Sequence, residues 1–244
     1  MTRRKAEIAP ITRGEIRKNI ERIQGPRYPE KKILMYRSLF ALAFIAARRI
    51  SELVGRVYAE NKTTGFRRDF AKGPKQPENW TILDVYKGIM TDDFKFVTIA
   101  GKSLLSVRFQ VLKKYVQDEK TGKTKMKKII ERVDVPVDFF VEEFVMPWVK
   151  LMQNKAEIEN TNLKVYSIGR SRAFQVITEF CPNLWTHYFR HQRLTHLASV
   201  LNPFELKDNY GKWSSLDPAV FYVHSNPERI ADKTREADEK WKGI

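Results

Sequence analysis

The 244-residue chain has one cysteine, only four histidines and no long apolar run, and each scarcity closes off a class of proteins. The lone Cys181 excludes an internal disulfide framework and a cysteine-based zinc site, and it fits a reducing compartment. As a small apolar side chain it belongs in a core. No stretch approaches the ~18 uninterrupted apolar residues that a membrane span requires, and the opening MTRRKAEIAP lacks the apolar centre of a secretion signal. A soluble intracellular protein with no membrane partner is therefore expected. Carboxylates are also short, 29 against 45 Lys and Arg, for a formal net charge of +16 and a sequence pI near 9.8. Such a surface is positive over wide areas whatever the fold, and a polyanion is its simplest partner. No acidic cluster or HExxH string signals a metal site; His187 and His191 stand four apart without a third ligand, so neither metal nor cofactor is expected.

Helix signals frame the chain. Thr12 and Glu15 form a capping box with Ile11 and Ile16 as its staple, predicting a helix over 13–23. After Gly25-Pro26, residues 30–48 carry Ile33, Leu34, Leu39, Phe40, Ala43, Phe44 and Ala47 at helical spacing, with Arg49 at the C-terminal end and Ser51 capping a short helix beyond it. Residues 56–79, with glycines and prolines among Arg67, Arg68 and other cations, read as an exposed basic excursion. The texture then turns β-rich: Trp80–Tyr86, Phe94–Ile99, Val107–Val116 and Ile129–Val137 predict a small antiparallel sheet of about three strands, including a long β-hairpin over 106–137. Asp138 opens a helix to about Met152 that Pro147 should kink. Further helices are expected from Ser171 to about Phe180, from Thr186 to about Val200, from Asn202-Pro203 to Gly211, from Asp217-Pro218 through Tyr222, and from Asn226-Pro227 onward. The whole is an α+β fold, mostly helical.

Basic charge is densest over 102–128, where Lys102, Arg108, Lys113, Lys114, Lys120, Lys123, Lys125, Lys127 and Lys128 meet only Asp118 and Glu119. A charge run is usually a solvated face, so single lysines carry little weight; the segment as a whole, with Arg67 and Arg68, is a candidate phosphate contact. The chemistry is sharper in ARRISEL, HYFRH and GKW followed by Tyr222. Two arginines, Arg49 and Arg190, can hold the non-bridging oxygens of one phosphate, His187 and the Trp213 indole add neutral donors, and the Tyr222 oxygen can attack phosphorus. Taken singly these residues have bland explanations: a helix-terminal cation for Arg49, a helix-start residue for His187, a core aromatic for Trp213. Their joint spacing is what points to phosphodiester chemistry.

Those boxes resemble the tyrosine recombinase family of site-specific DNA integrases. Ala47-Arg48-Arg49-Ile50-Ser51-Glu52-Leu53 follows the family's Gly-Leu-Arg-Ile-Ser-Glu-Leu string except at its glycine and the small apolar residue after it. His187-Tyr188-Phe189-Arg190-His191 matches His-x-x-Arg-His throughout, and Trp213 stands nine residues before Tyr222, the family's offset. Lys212, inserted after the usual glycine, leaves a second reading in which it replaces the Trp213 donor. The resemblance implies a catalytic domain over 1–225, a helical tail over 226–244 that exchanges between protomers, and no N-terminal core-binding domain. It implies attack by Tyr222, a 3′-phosphotyrosyl link and a free 5′-hydroxyl, without metal or ATP. Its general acid is a hairpin lysine, here Lys114 first, with Lys113, Lys120 and Lys123 in reserve and Lys102 an outsider; Glu52 orients the arginines, and His191 supports them. Double-stranded DNA is the implied partner, with a tetramer on it, in the cytoplasm near the nucleoid or in a host cell if the source is viral or archaeal. A type IB-like topoisomerase and an inactive DNA-binding regulator are the alternatives.

Overall fold

A computed structural model of the protein describes residues 11–224, apart from 71–72, 112–114, 118–123, 127–128, 183 and 214. The first helix, α1 (Arg13–Glu21), starts on the Thr12–Glu15 capping box and buries Ile16 and Ile20. The second, α2 (Glu30–Ile45), is the core's axis: Leu39 to Ile45 are buried without a break, so helices and sheet must cover it on every side. Phe40 stacks on Phe189 with ring centroids 5.3 Å apart, and Phe44 meets Phe140 at 5.0 Å. Each such fully buried side chain contributes roughly 1.5–3 kcal/mol.

The helix does not run on to residue 48. Ala47 adopts φ +51°, the amides of Ala47 and Arg48 turn back to the carbonyls of Phe44 and Ala43, and α2 closes there. Arg49 is therefore not a C-terminal cation; it is the extended N-cap residue of α3 (Ile50–Val54). The position that closes α2 is the one where the family string carries glycine, which takes positive φ at no steric cost.

Residues 56–79 are not simply a loop. They contribute β1 (Arg56–Asn61) and β2 (Arg67–Phe70), which with β3 (Trp80–Tyr86) form an antiparallel sheet in the order β2-β1-β3. The Asn61 side chain accepts from the amides of Thr63 and Thr64 and so builds the turn between β1 and β2. A second antiparallel sheet has the order β4-β5-β8, from β4 (Phe94–Ile99), β5 (Lys102–Val111) and β8 (Ile129–Pro136). The expected single sheet is thus two, and the ribbon of β5 and β8 pairs Leu104 with Pro136 and Val111 with Ile129. A further antiparallel pair, β6 (Tyr115–Gln117) and β7 (Thr124–Met126), lies within the same hairpin.

After the sheets, a π-helical turn over Val141–Val145 leads into α4 (Met146–Ile158). The π turn stands just before Pro147, where a kink is expected. Proline lacks an amide and clashes with the carbonyl four residues back, and widening the preceding turn relieves both. The helix runs six residues past Met152. The expected helix at 171–180 is α5 (Arg170–Phe180), and α6 (Tyr188–Ala198) begins with His187 as N-cap. Asn202 caps α7 (Pro203–Glu205), which widens into a π-helical turn over Leu206–Gly211; Lys212, at φ +52°, and not Gly211, takes the left-handed closing position. The last described helix is α8 (Asp217–His224), and the tail expected over 226–244 lies outside the described residues.

Candidate active site

The start of α3, the first turn of α6, Trp213 before α8 and the helix α8 itself meet around a cavity of about 360 Å³. It is lined by Arg49, His187, Arg190, His191, Trp213, Pro218, Phe221 and Tyr222. The five residues singled out from the sequence thus share one pocket, with His191 beside them.

Glu52 braces Arg49 from behind the lining. It is fully buried, its Oε2 accepts from the Arg49 amide at 2.9 Å, and its Oε1 accepts from Arg49 Nη1 at 3.0 Å. Burial alone would raise its carboxyl, but Arg48, Arg49 and Arg190 outweigh that and hold it below the ordinary carboxylate range. A short helix thereby fixes the direction of Arg49 through its own capping contact.

Arg190 is 1% exposed and its guanidinium is committed to backbone: Nη1 donates to the Ala47 carbonyl and Nη2 to the Gly211 carbonyl at 2.8 Å. It also stands 5.6 Å from the Trp213 ring centroid. Burial, then the neighbouring Arg49, lowers its pKa to about 9, so it stays charged at neutral pH. The sequence reading passed over Arg48. It is equally buried, donates to the carbonyls of Ala46 and Tyr210, and lies 4.2 Å from the centroid of Phe109 on β5. The available signal was the cation standing where the family string has an apolar residue.

The other wall carries the aromatics. Trp213 stacks on Tyr222 with centroids 5.8 Å apart and planes 15° from parallel. Gly211 makes room for that indole, because a Cβ there would stand 2.1 Å from the Trp213 ring. Lys212 turns away: its Nζ lies 3.2 Å from Glu131 on β8. The Tyr222 hydroxyl is 2.6 Å from His191 Nδ1, and burial pushes it up to about 12 against the lowering pull of Arg190 and Arg49. Burial, followed by Arg190, His191 and Arg49, pushes His187 down to about 3, so its imidazole is neutral at physiological pH.

The basic residues are scattered by comparison. Arg67 pairs with Glu60 at 2.8 Å, Arg68 lies over Phe70, and Arg108 pairs with Asp93 at 2.8 Å. Lys102 begins β5 seven residues before Phe109, roughly 23 Å of strand from the Arg48 contact at ~3.3 Å per residue. Lys125 falls on β7, whereas Lys113, Lys114, Lys120 and Lys123 lie outside the described residues.

Among solved structures, this fold is similar to part of a site-specific recombinase and of a transposon integrase. The XerH site-specific recombinase, in a post-cleavage complex with palindromic difH substrate, superposes with a TM-score of 0.50 at 14% identity, over 93% of this chain and 52% of XerH. The chain therefore spans about half the length of that recombinase, and at this identity the likeness concerns the fold. The Tn1549 transposon integrase, in complex with circular intermediate DNA, gives a TM-score of 0.46 at 13% identity over 97% of this chain and 68% of the other. No family model and no curated protein matches the chain by sequence. No helix of the described residues is long and apolar enough to cross a membrane.

Proposed function

We propose that the protein is a site-specific DNA recombinase or integrase that breaks and rejoins strands through Tyr222. The observation that carries this reading is the meeting of Arg49, His187, Arg190, Trp213 and Tyr222 on one pocket, with both arginines already braced. Arg49 and Arg190 take the non-bridging oxygens of the scissile phosphate, and preorganised donors of this kind stabilise charge that develops during attack. His187 is held neutral and so acts as a hydrogen-bond partner; Trp213 offers its indole N–H. Tyr222 attacks phosphorus, leaving a 3′-phosphotyrosyl link and a free 5′-hydroxyl. The 5′-oxygen departs with a proton from a lysine of the hairpin, for which Lys114 is the first candidate. In sequence it stands three residues after Val111, the last residue of β5, whose Phe109 lies against Arg48. Bond energy is kept in the covalent link, so the reading requires no ATP.

Double-stranded DNA is the proposed partner. A net charge of +16 supports it, with Lys102, Arg108, Lys125, Arg67 and Arg68 as outlying phosphate contacts. Tetramer formation on DNA, an exchanged tail over 226–244 and a place beside the nucleoid belong to the same proposal and rest on the resemblance alone. The test is a suicide DNA substrate in which the short fragment bearing the new 5′-hydroxyl is lost after cleavage. An SDS-resistant adduct is expected from the wild type and none from Tyr222→Phe; an adduct that survives this substitution refutes the nucleophile.

A further inference from the structure

Arg48 carries a charge but lines no part of the pocket. Burial lowers its pKa to about 10, so it stays a cation at neutral pH, yet it is 1% exposed. An ion kept from water is costly, and an apolar residue of similar volume is often no worse for stability. Here that exchange would undo a three-way contact. Nε donates to the Ala46 carbonyl at 2.7 Å, Nη2 donates to the Tyr210 carbonyl, and the guanidinium lies 4.2 Å from the Phe109 ring centroid. One side chain thereby touches the close of α2, the end of the π-helical turn before Trp213, and the middle strand of the second sheet.

The strand contact falls on one rung of the hairpin's ribbon. Phe109 pairs with Glu131 across β5 and β8, so their side chains share a face, and Lys212 Nζ lies 3.2 Å from that Glu131. Residues just after α2 and just after the π-helical turn thus meet the same rung. Past it β5 runs only to Val111, and Lys113 and Lys114 follow in the sequence. On the turn, the Tyr210 carbonyl goes to Arg48 and the next one, of Gly211, to Arg190; cations close a helical end whose carbonyls lack amide partners. We infer that Arg48 is a positioning residue: it locks the ribbon of β5 and β8, and with it the hairpin lysine that protonates the departing 5′-oxygen, against the turn that leads to Trp213. This rests on the recombinase reading above and holds whichever hairpin lysine is the donor.

A proton donor must come within hydrogen-bond reach of the oxygen it serves, and a rung fixed to the pocket's frame sets the reach of the chain beyond it. An apolar residue at position 48 would still pack on Phe109. It would release the Tyr210 carbonyl and the attraction between guanidinium and ring. The phosphate side keeps its grip without Arg48, because Arg49 has Glu52 and Arg190 has the Ala47 and Gly211 carbonyls. The loss should therefore fall on protonation of the leaving group and spare DNA binding.

The test compares two leaving groups in single-turnover adduct formation by the full chain. The probe is a pool of randomised duplexes, nicked near the scissile position, that carries there either the natural bridging 5′-oxygen or a sulfur in its place. A thiol ionises near ~8.5, so the sulfur departs without a donated proton. Arg48→Met should slow the oxygen substrate about 10²-fold and the sulfur substrate by no more than about threefold, with the dependence on DNA concentration unchanged. Arg48→Lys, which keeps a cation beside the ring, should fall between wild type and Arg48→Met on oxygen. A merely structural role slows both substrates alike; that result, or an oxygen rate for Arg48→Met within about threefold of wild type, overturns the assignment. Hydrogen exchange on the free protein needs no DNA: amides of β5 and β8 should exchange faster in Arg48→Met while those of Leu39 to Phe44 hold. Unchanged strand amides, or a rise shared equally by α2, overturn it as well. Should Arg48→Met not fold, Phe109→Leu weakens the ring contact alone and carries the same comparison, a loss confined to oxygen supporting the assignment and an equal loss refuting it. If wild type forms no adduct on either substrate, or Tyr222→Phe forms one, the recombinase reading falls first and this assignment with it. A Tyr222-dependent adduct with equal losses on oxygen and sulfur sinks the assignment alone.

Discussion

Arg190 and Tyr222 face the same pocket from walls of opposite construction. On the arginine wall, Arg48, Arg49 and Arg190 are each tied to backbone carbonyls or to the buried carboxylate of Glu52, and two of the three are almost wholly inaccessible to water. On the aromatic wall, Tyr222 rides the short helix α8, which follows a π-helical turn and a left-handed residue, and it is held by one hydrogen bond and ring contacts. The charges are fixed before a substrate arrives, while the proposed nucleophile has fewer polar ties. That division suits a reaction in which positioning a phosphate demands rigidity and the nucleophile must approach and leave.

The contrast can be broken from the arginine side first. Glu52→Gln leaves three clustered guanidiniums without their buried carboxylate, and a loss of about 3–5 kcal/mol in unfolding free energy is expected from denaturant titration at neutral pH. Because the folded carboxyl sits below its unfolded value of ~4.3, its contribution is complete above that pH and fades as pH falls through the folded pKa. Wild type and Glu52→Gln should therefore converge in acid; a gap that widens there would contradict the pairing. Next in size is Arg190→Lys. A single ammonium cannot reach both the Ala47 and Gly211 carbonyls, so about 2–3 kcal/mol of stability should go, along with adduct formation.

The aromatic wall should yield smaller stability effects. Gly211→Ala drives a methyl into the Trp213 indole, at about 1–3 kcal/mol, and tryptophan fluorescence should report the displaced ring. Smallest is Lys212→Met, which removes a half-screened contact to Glu131 for about 1 kcal/mol or less. Adduct yield should hold in that variant; its collapse would make Lys212, rather than Trp213, the donor.

The pocket was legible in the sequence because its chemistry demands particular side chains at particular offsets, and no packing alternative supplies two arginines, a histidine and a tyrosine in that order. Helix starts were legible for a similar reason: Thr12, Asn202 and Asp217 announce themselves through local capping. What escaped depends on distant partners. The strands β1 and β2 were hidden because Lys62, Arg67 and Arg68 blur the apolar alternation of a sheet whose pairing only β3 completes. The π turns escaped because an i→i+5 pattern has no local signature beyond a proline or a crowded turn. Arg48 looked like a spare cation, since its burial is decided by Phe109 and Tyr210, far along the chain.

Among the described residues, Arg48, Arg49, Arg190 and Lys212 set against Glu52 and Glu131 leave this cluster with a surplus of two positive charges. A phosphodiester at rest carries one negative charge, whereas a five-coordinate phosphorus under attack by a phenolate carries two. The resting protein is thus over-neutralised toward its substrate and balanced toward the proposed halfway point, so ground-state DNA binding at this spot gains less than the reaction does. Glu52 sets that offset by cancelling one charge and leaving two. An uncharged residue in its place would raise the surplus to three, tightening the hold on intact DNA and leaving the proposed halfway point over-neutralised in its turn.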